Sequence, residues 1–513
     1  MSRCPEIRFA GRVSEERPKT RWFFWWPLCG IIVSEVRSNR RPGCPTTLDQ
    51  VRSRRWSVPP SARINTCSGI HLYDPTMPRP RLKTTARVQP RSTPLARSIE
   101  RPGIAELPFT VTVGAFWMVV VAAPRHIQLG PVTMSGALTI LVAALTLCML
   151  PAYINTASSR TDALDGKGSA RPGLPWPIWG FILLLFSSFL ITSFSGEANA
   201  DSIQNASVYL SFVGAILFAS AARSPALVLR GWGLMRSVST VAAYLTLMMS
   251  AVGLTFLAER AMAMVGLIVL AVVIPGVPQN GFVRFAPFAA VAAMALSLSR
   301  TSTAIGLALL AFLALRRKFT RGVSAGGKRL LRALFIVVGV ALSAYALVVY
   351  YTPFRDRFLV GDNALKVGDL NISTQGRARL WDLIISESSD GLIFGHGTGA
   401  GAALIAERVP GQSHPHNEYL RLFFDFGIVG LGLFALGYAA LMWRTLRSAR
   451  DTDHPLHWAA FIGLLSISLI AITDNPFVYP FVMLPLGSLV GLSLALDRFE
   501  SQGARFTALD VLT

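Results

Sequence analysis

Charge is scarce in this chain. Only 15% of its 513 residues are Asp, Glu, Lys or Arg, while 52% are hydrophobic, and the mean hydropathy is +0.47. A soluble domain of this length needs a solvated surface that such a composition cannot cover, so the lipid bilayer is expected to be the main solvent. Cysteine is equally sparse, with five in all. Cys4, Cys29, Cys44 and Cys67 stand at irregular spacings without a Cys-x-x-Cys or His-x-x-x-His partner, which leaves no disulfide or zinc framework to read. The one glycine-rich loop, Gly395 to Gly401, is followed by no Lys-Ser/Thr and sits in no βαβ unit, so it does not read as a nucleotide loop. No repeat of a period that would build a solenoid is present. No metal and no cofactor is expected.

The base excess is large, +21 at neutral pH, which in a soluble protein would suggest nucleic acid. It is concentrated in the first hundred residues, however. Residues 1–101 form a basic region rich in Arg, Pro and Ser without helical or strand periodicity, and are expected to be disordered. Their apolar patch from Trp22 to Val33 is too short to span a bilayer and is broken by Pro27. Met77 opens a shorter basic leader directly before the first long apolar run, so translation is expected to start near there, making residues 1–76 a mis-assigned start. The run after that leader has span length and no small-residue cleavage site, so no cleavable signal peptide is expected.

From residue 102 the chain alternates long apolar runs with short polar ones. The expected fold is all-α, a polytopic integral membrane protein of about twelve (10–12) transmembrane helices. Residues 102–352 make an N-terminal bundle, 353–416 one long external loop, 417–497 the C-terminal membrane helices and 498–513 a cytoplasmic tail. Phe285 to Leu315 is too long for one span and would bury Arg300 in hydrocarbon, so two spans meeting at Arg300 are expected. Lys and Arg then accumulate in loops on the side of the N-terminus, most of all in Arg316 to Arg332 with its seven basic residues. The short loops of the other side hold only Arg125, Arg260 and Arg300. By the positive-inside rule both termini are cytoplasmic and the 353–416 loop faces outward from the cytoplasmic membrane, which in a two-membrane cell is the periplasmic side.

That loop gathers the residues that could carry chemistry. Gly376 to Ile385 is expected as an amphipathic helix on the membrane surface, with Leu380, Trp381, Ile384 and Ile385 on one side. Arg377 and Arg379 open its first turn, where free N–H groups already favour an anion. The alternative is a pair of solvated arginines at a loop edge. Arg300 either snorkels to the headgroups or forks onto phosphate oxygens at that depth. Two readings of His396 are open, a residue of the site or a solvated side chain on a glycine turn. His414 and His416 end the loop in His-Pro-His without further ligands at metal spacing, so a general base is the better role for a neutral imidazole there. Asn417 and Glu418 follow and could orient the ring or an acceptor sugar, with helix capping the bland alternative for Asn417. Asp474, in Thr473-Asp474-Asn475-Pro476, either caps the next helix or contacts an arginine or a sugar. Asp425 is an acid at membrane depth.

Taken together these segments resemble the bacterial O-antigen ligase and O-antigen or exopolysaccharide polymerase superfamily. The resemblance covers about the second half of the chain. It rests on Ser299-Arg300 ending an apolar run, then Gly376-Arg377 with Leu380-Trp381 and Phe394-Gly395-His396-Gly397-Thr398-Gly399. It is completed by His416-Asn417-Glu418-Tyr419-Leu420 leading to Phe426-Gly427-Ile428-Val429-Gly430. The family histidine precedes a glycine after ten intervening residues, so His416 and not His414 matches it.

The resemblance implies a GT-C-like membrane glycosyltransferase that needs no metal and inverts the anomeric carbon. It would transfer or polymerise glycan repeats from undecaprenyl pyrophosphate to an acceptor glycan, either a lipid-linked repeat or lipid A core. His416 would be the catalytic base, Arg300 and Arg377 the pyrophosphate contacts with Arg379 a substitute, and His414, Asn417, Glu418 and Asp474 further substrate contacts. Thr473 to Phe477 is similar to exopolysaccharide polymerases. Two alternatives are a transporter or flippase for lipid-linked sugars and a non-catalytic envelope assembly component. A transporter would spread charges through mid-span, whereas here polarity is concentrated in one loop.

Overall fold

The computed structural model describes residues 128–129, 132–158, 173–196, 200–253, 259–275, 281–319, 335, 338–339, 342–343, 345–359, 365–367, 370–374, 376–412 and 414–501. The chain divides into two compact units, Met1–Leu95 and Ala96–Thr513, and every described residue belongs to the second. The expectations for residues 1–101, for the first long apolar run after the basic leader, and for most of the 498–513 tail lie outside the described residues.

Apolar sequence deprived of water must satisfy its backbone within its own segment, and the described chain does so almost entirely as helix. In order these are α1 (Met134–Ser158), α2 (Trp176–Phe194), α3 (Ala200–Ser220), α4 (Pro225–Ala251), α5 (Glu259–Val273), α6 (Ala286–Leu296), α7 (Arg300–Phe319) and α8 (Thr352–Leu359). The 353–416 loop adds α9 (Arg377–Ser386) and α10 (Ala400–Arg408), and the C-terminal part α11 (Glu418–Thr452), α12 (Pro455–Ile470) and α13 (Pro480–Ser501). Two small antiparallel ribbons accompany them. β1 (Gln128–Leu129) pairs with β2 (Val132–Thr133) before α1, and β3 (Leu365–Val367) pairs with β4 (Leu370–Ile372) in the 353–416 loop. Among the described residues, α2, α3, α11 and α13 are long and apolar enough to cross a membrane, and shorter apolar helices lie at Gly136–Cys148, Ala261–Val273, Phe282–Leu296, Arg300–Phe312 and Pro455–Ile470.

The centre of the bundle is the α3–α13 pair. Both helices are enclosed by their neighbours on nearly all sides, whereas α2 and α11 keep one side outward. Close approach depends on a small-residue spacing, Gly487-x-x-x-Gly491. A Cβ on Gly487 would meet the Phe212 carbonyl oxygen at 2.6 Å, and one on Gly491 the Ile216 carbonyl oxygen at 2.5 Å. Backbones this close are what GxxxG contacts permit in lipid, where dispersion rather than the hydrophobic effect drives association. An aromatic layer fills the space between α2, α3 and α11. Phe181 stands edge-on to Tyr209 at 5.2 Å and to Phe426 at 5.6 Å, and Phe434 contacts Phe477 at 4.9 Å.

Two breaks place the polar residues. The long apolar stretch around Arg300 is divided, as its length and charge predict. α6 ends at Leu296, Leu298 takes a left-handed φ of 57°, and α7 restarts at Arg300. Gly306 of α7 lies against Val291 and Met294 of α6, so the chain folds back on itself there. The second break is inside α11, where Gly427 has φ 63° and ψ −168°. Its missing Cβ would lie 2.2 Å from the Ile393 carbonyl oxygen of the 353–416 loop, so this position needs glycine for both its backbone angle and its space. The N–H groups freed at the kink are used at once. Ile428 N–H donates to Leu392 O at 2.9 Å and Val429 N–H to Ile393 O at 3.2 Å, while His396 N–H and Gly397 N–H donate back to Phe424 O and Asp425 O at 2.9 and 3.0 Å.

Candidate active site

The first turn of α11 carries the histidine motif. Asn417 is its N-cap, with the side-chain oxygen accepting from Tyr419 N–H at 3.1 Å and Leu420 N–H at 3.2 Å. Of the two roles open to Asn417, this is the capping one. Glu418 N–H donates to Ala471 O at 2.8 Å and the Tyr419 hydroxyl to Ser468 O at 2.8 Å. These bonds tie the start of α11 to the end of α12 and so bring the 473–476 turn beside His416.

Among the described residues only Leu298, His416 and Asp453 are non-glycine residues with positive φ. At φ 54° His416 holds an uncommon conformation at the point where its ring enters the site, and Leu298 does the same two residues before Arg300. The His416 Nδ1 lies 3.4 Å from Asp474 Oδ1 and 3.4 Å from the Asn475 side-chain amide. An Nδ1–H donated to the carboxylate leaves Nε2 with the lone pair, the tautomer a general base needs. Burial alone would raise the Asp474 carboxyl, but the hydrogen bond from His416, the Arg377 guanidinium and the Asn475 N–H together hold it below the ordinary carboxylate range. Asp474 is therefore an anion that three parts of the chain converge on.

Both arginines of the family pattern reach the same place. Arg300 Nη1 donates to the Ser373 carbonyl at 2.9 Å, and Thr374 O and Oγ1 accept from the Arg377 and Ala378 N–H groups that open α9, at 3.3 Å each. The Arg300 guanidinium is thus fixed beside the helix start that Arg377 heads. Thr473 Oγ1 and Thr301 Oγ1, 2.9 Å apart, join the residue after Arg300 to the residue before Asp474. Trp381 Nε1–H donates to Pro415 O at 2.9 Å, which pins α9 to the His414-Pro415-His416 segment. Arg379 is exposed, while Arg377 is half-buried on the side facing that segment. Arg377, Arg300, His416 and Asp474 are brought together, and Arg379 is left at the surface.

His414 is largely buried, and burial first, then the charges of Arg421 and His416, lower its pKa to about 4 against the upward pull of Asp474. It is neutral at pH 7, and its Nδ1 has no hydrogen-bond partner among the described residues. Glu418 occupies a different place from the one expected. Its side chain is wholly buried, accepting from Arg421 Nε at 2.9 Å and from the Tyr209 hydroxyl at 3.3 Å, a position from which it holds Arg421 and does not face a sugar.

Arg421 is not among the residues expected in the site. It is fully buried, with Nη2 on Glu418 and on the Tyr209 hydroxyl at 2.7 Å, and Nη1 3.4 Å from Asp425 Oδ2. Asp425 in turn accepts from Gly401 N–H at 2.8 Å and Gly399 N–H at 3.2 Å. The glycine loop, with α10 behind it, therefore cradles an internal carboxylate as it would a phosphate. The available signal was spacing: residues 418, 421 and 425 lie at i, i+3 and i+7, one stripe of α11. His396 stacks on Phe424 at 4.4 Å and is otherwise exposed. Among the described residues no three His, Cys, Asp or Glu side chains gather as ligands for a metal.

Residues 285–435 match the family model described as O-Antigen ligase. The matched stretch contains Arg300, Arg377, the glycine loop, His416 and Gly427, and it ends before Asp474. This agrees with the family read from the motifs. No curated protein matches the chain.

Proposed function

We propose that this membrane protein, which carries an O-antigen ligase-family region, is a metal-independent inverting glycosyltransferase of the O-antigen ligase or polymerase type. It would take glycan from undecaprenyl pyrophosphate and join it to an acceptor glycan at the outer face of the cytoplasmic membrane. The observation that carries this reading is the His416–Asp474 pair set beside the start of α9, where Arg377 stands and to which Ser373 ties Arg300.

The acceptor hydroxyl gives its proton to His416 Nε2 as its oxygen attacks the anomeric carbon. The bond from that carbon to the pyrophosphate breaks on the opposite face, and the bonding electrons leave with the pyrophosphate. Asp474 holds the imidazole tautomer and stabilises the imidazolium that forms. Charge grows on the leaving group as the bond breaks, and two fixed guanidinium groups meet that charge without reorganising.

The test is transfer by the purified protein in liposomes from a polyprenyl-pyrophosphate glycan, with the product's anomeric configuration read by NMR. Inverted product formed in the presence of a chelator supports the reading. Retained configuration, or loss of transfer on chelation, would overturn it. In a deletion strain, surface repeats capped at one unit indicate a polymerase and full-length chains stranded on the carrier indicate a ligase. An unchanged surface profile contradicts both.

A further inference from the structure

The segment Leu392-Ile393-Phe394 belongs by sequence to the outer loop, yet its backbone is paired to α11 at Ile428 and Val429, beyond the Gly427 kink. Ile428 is ten residues into α11, about 15 Å along the axis at a rise of 1.5 Å per residue. The segment is thus packed against the body of α11, beside the apolar stretch that runs from Phe426 to Met442, and not against its charged first turns. Its side chains are open: Leu392 is 53% exposed, Ile393 59% and Phe394 64%, and the adjoining Ile428 is 57% exposed. Three consecutive large apolar side chains in water would be costly, and a polar loop has no need of them. Irregular backbone is tolerated at membrane depth only when its polar groups are satisfied. Here the Leu392 and Ile393 carbonyls accept from α11, Gly395 N–H donates to Gly391 O at 2.8 Å, and the following two N–H groups return to Phe424 and Asp425.

We infer that Leu392–Phe394 is a re-entrant segment whose side chains contact lipid acyl chains, continuous with the lipid-facing side of α11 that Ile428 and Leu436 expose. The partner is the bilayer itself. The segment leads directly into Gly395–Gly401, so the glycine loop starts at the level of the hydrocarbon, and a lipid-borne substrate meets the site without leaving the membrane. This inference rests on the chain being membrane-embedded and not on the proposed reaction.

The experiment uses the full chain with its native cysteines replaced, reconstituted in phosphatidylcholine liposomes. A nitroxide is attached at Phe394→Cys, Leu392→Cys, Leu436→Cys as the lipid reference or Arg408→Cys as the water reference. Collision with oxygen and with a water-soluble nickel chelate is read by electron paramagnetic resonance. Oxygen-favoured accessibility at 394 or 392 like that at 436 is the expected result. Nickel accessibility at both like that at 408 would overturn the inference. Either position suffices if the other variant does not fold, and neither reading depends on activity.

Discussion

His416 and Asp474 face each other at 3.4 Å across 58 residues of sequence, one at the end of the 353–416 loop and the other in the turn after α12. Both are nearly enclosed, with side-chain exposures of 12% and 7%, so their interaction is weakly screened by solvent. The pair joins a left-handed histidine to a carboxylate held in its charged form by its neighbours, an arrangement that fixes one imidazole tautomer.

Asp474→Asn keeps the shape and removes the charge. In the proposed reaction it lowers kcat by about 10²–10⁴-fold, within the range of a general-base contribution, and leaves KM for the lipid donor nearly unchanged. Steady-state kinetics against donor concentration check this. A loss confined to KM would assign Asp474 to binding.

The arginines make the complementary prediction. Arg377→Lys retains one charge but not the planar fork, so it should not restore transfer lost in Arg377→Ala. Each arginine-to-alanine change should cost about 10²–10³-fold in kcat if the guanidinium meets charge that develops in the transition state. Arg379→Ala, at an exposed position, should transfer at close to the wild-type rate.

Gly427→Ala places a methyl 2.2 Å from the Ile393 oxygen at a φ of 63°. Backbone strain alone costs about 1–3 kcal/mol, and the clash adds to it. The expected outcome is a lower thermal midpoint in detergent and faster proteolysis within residues 387–399, because the loop can no longer seat in the kink. Unchanged protection there would contradict the docking described.

Acid stability separates two groups by the direction of their shifts. The folded pKa of His414 is lowered from 6.5 to about 4, so between those values the unfolded chain binds a proton that the folded chain does not. Stability from this site is full above 6.5 and falls as pH drops toward 4. The lowered pKa of Asp474 acts further down: its contribution is present above the ordinary aspartate range and is lost as pH falls through the depressed value. His414→Gln should therefore flatten the dependence of the thermal midpoint on pH between 6.5 and 4 while leaving the lower limb in place. An unchanged slope in that interval would assign the acid sensitivity elsewhere.

Much of this arrangement was legible before any coordinates, for reasons that differ by residue. Apolar length alone accounts for α2 at Trp176–Phe194, and Arg300 forces a break where α6 and α7 do divide. Side-chain periodicity gives α9 to within a residue. The start of α4 at Pro225 is harder to read from hydropathy, because Arg230 and Arg236 dilute the apolar run. The local cap was there to read, Ser224 accepting from Leu227 N–H at 3.3 Å with Pro225 behind it. Arg421 was not legible because its burial depends on Tyr209, more than 200 residues away, and on Asp425, which is itself held by loop amides. The descent of Leu392–Phe394 to the kink was hidden for the same reason, since only the Gly427 break leaves N–H groups for it to meet.

In the proposed reaction His416 is the base and Arg300 contacts the leaving pyrophosphate. The most direct measurement is glycan transfer by wild type, His416→Ala and Arg300→Ala in matched liposomes, with equal insertion verified by protease protection. Loss of transfer in both variants, with insertion intact, is the predicted result. Transfer at the wild-type rate in both would contradict it.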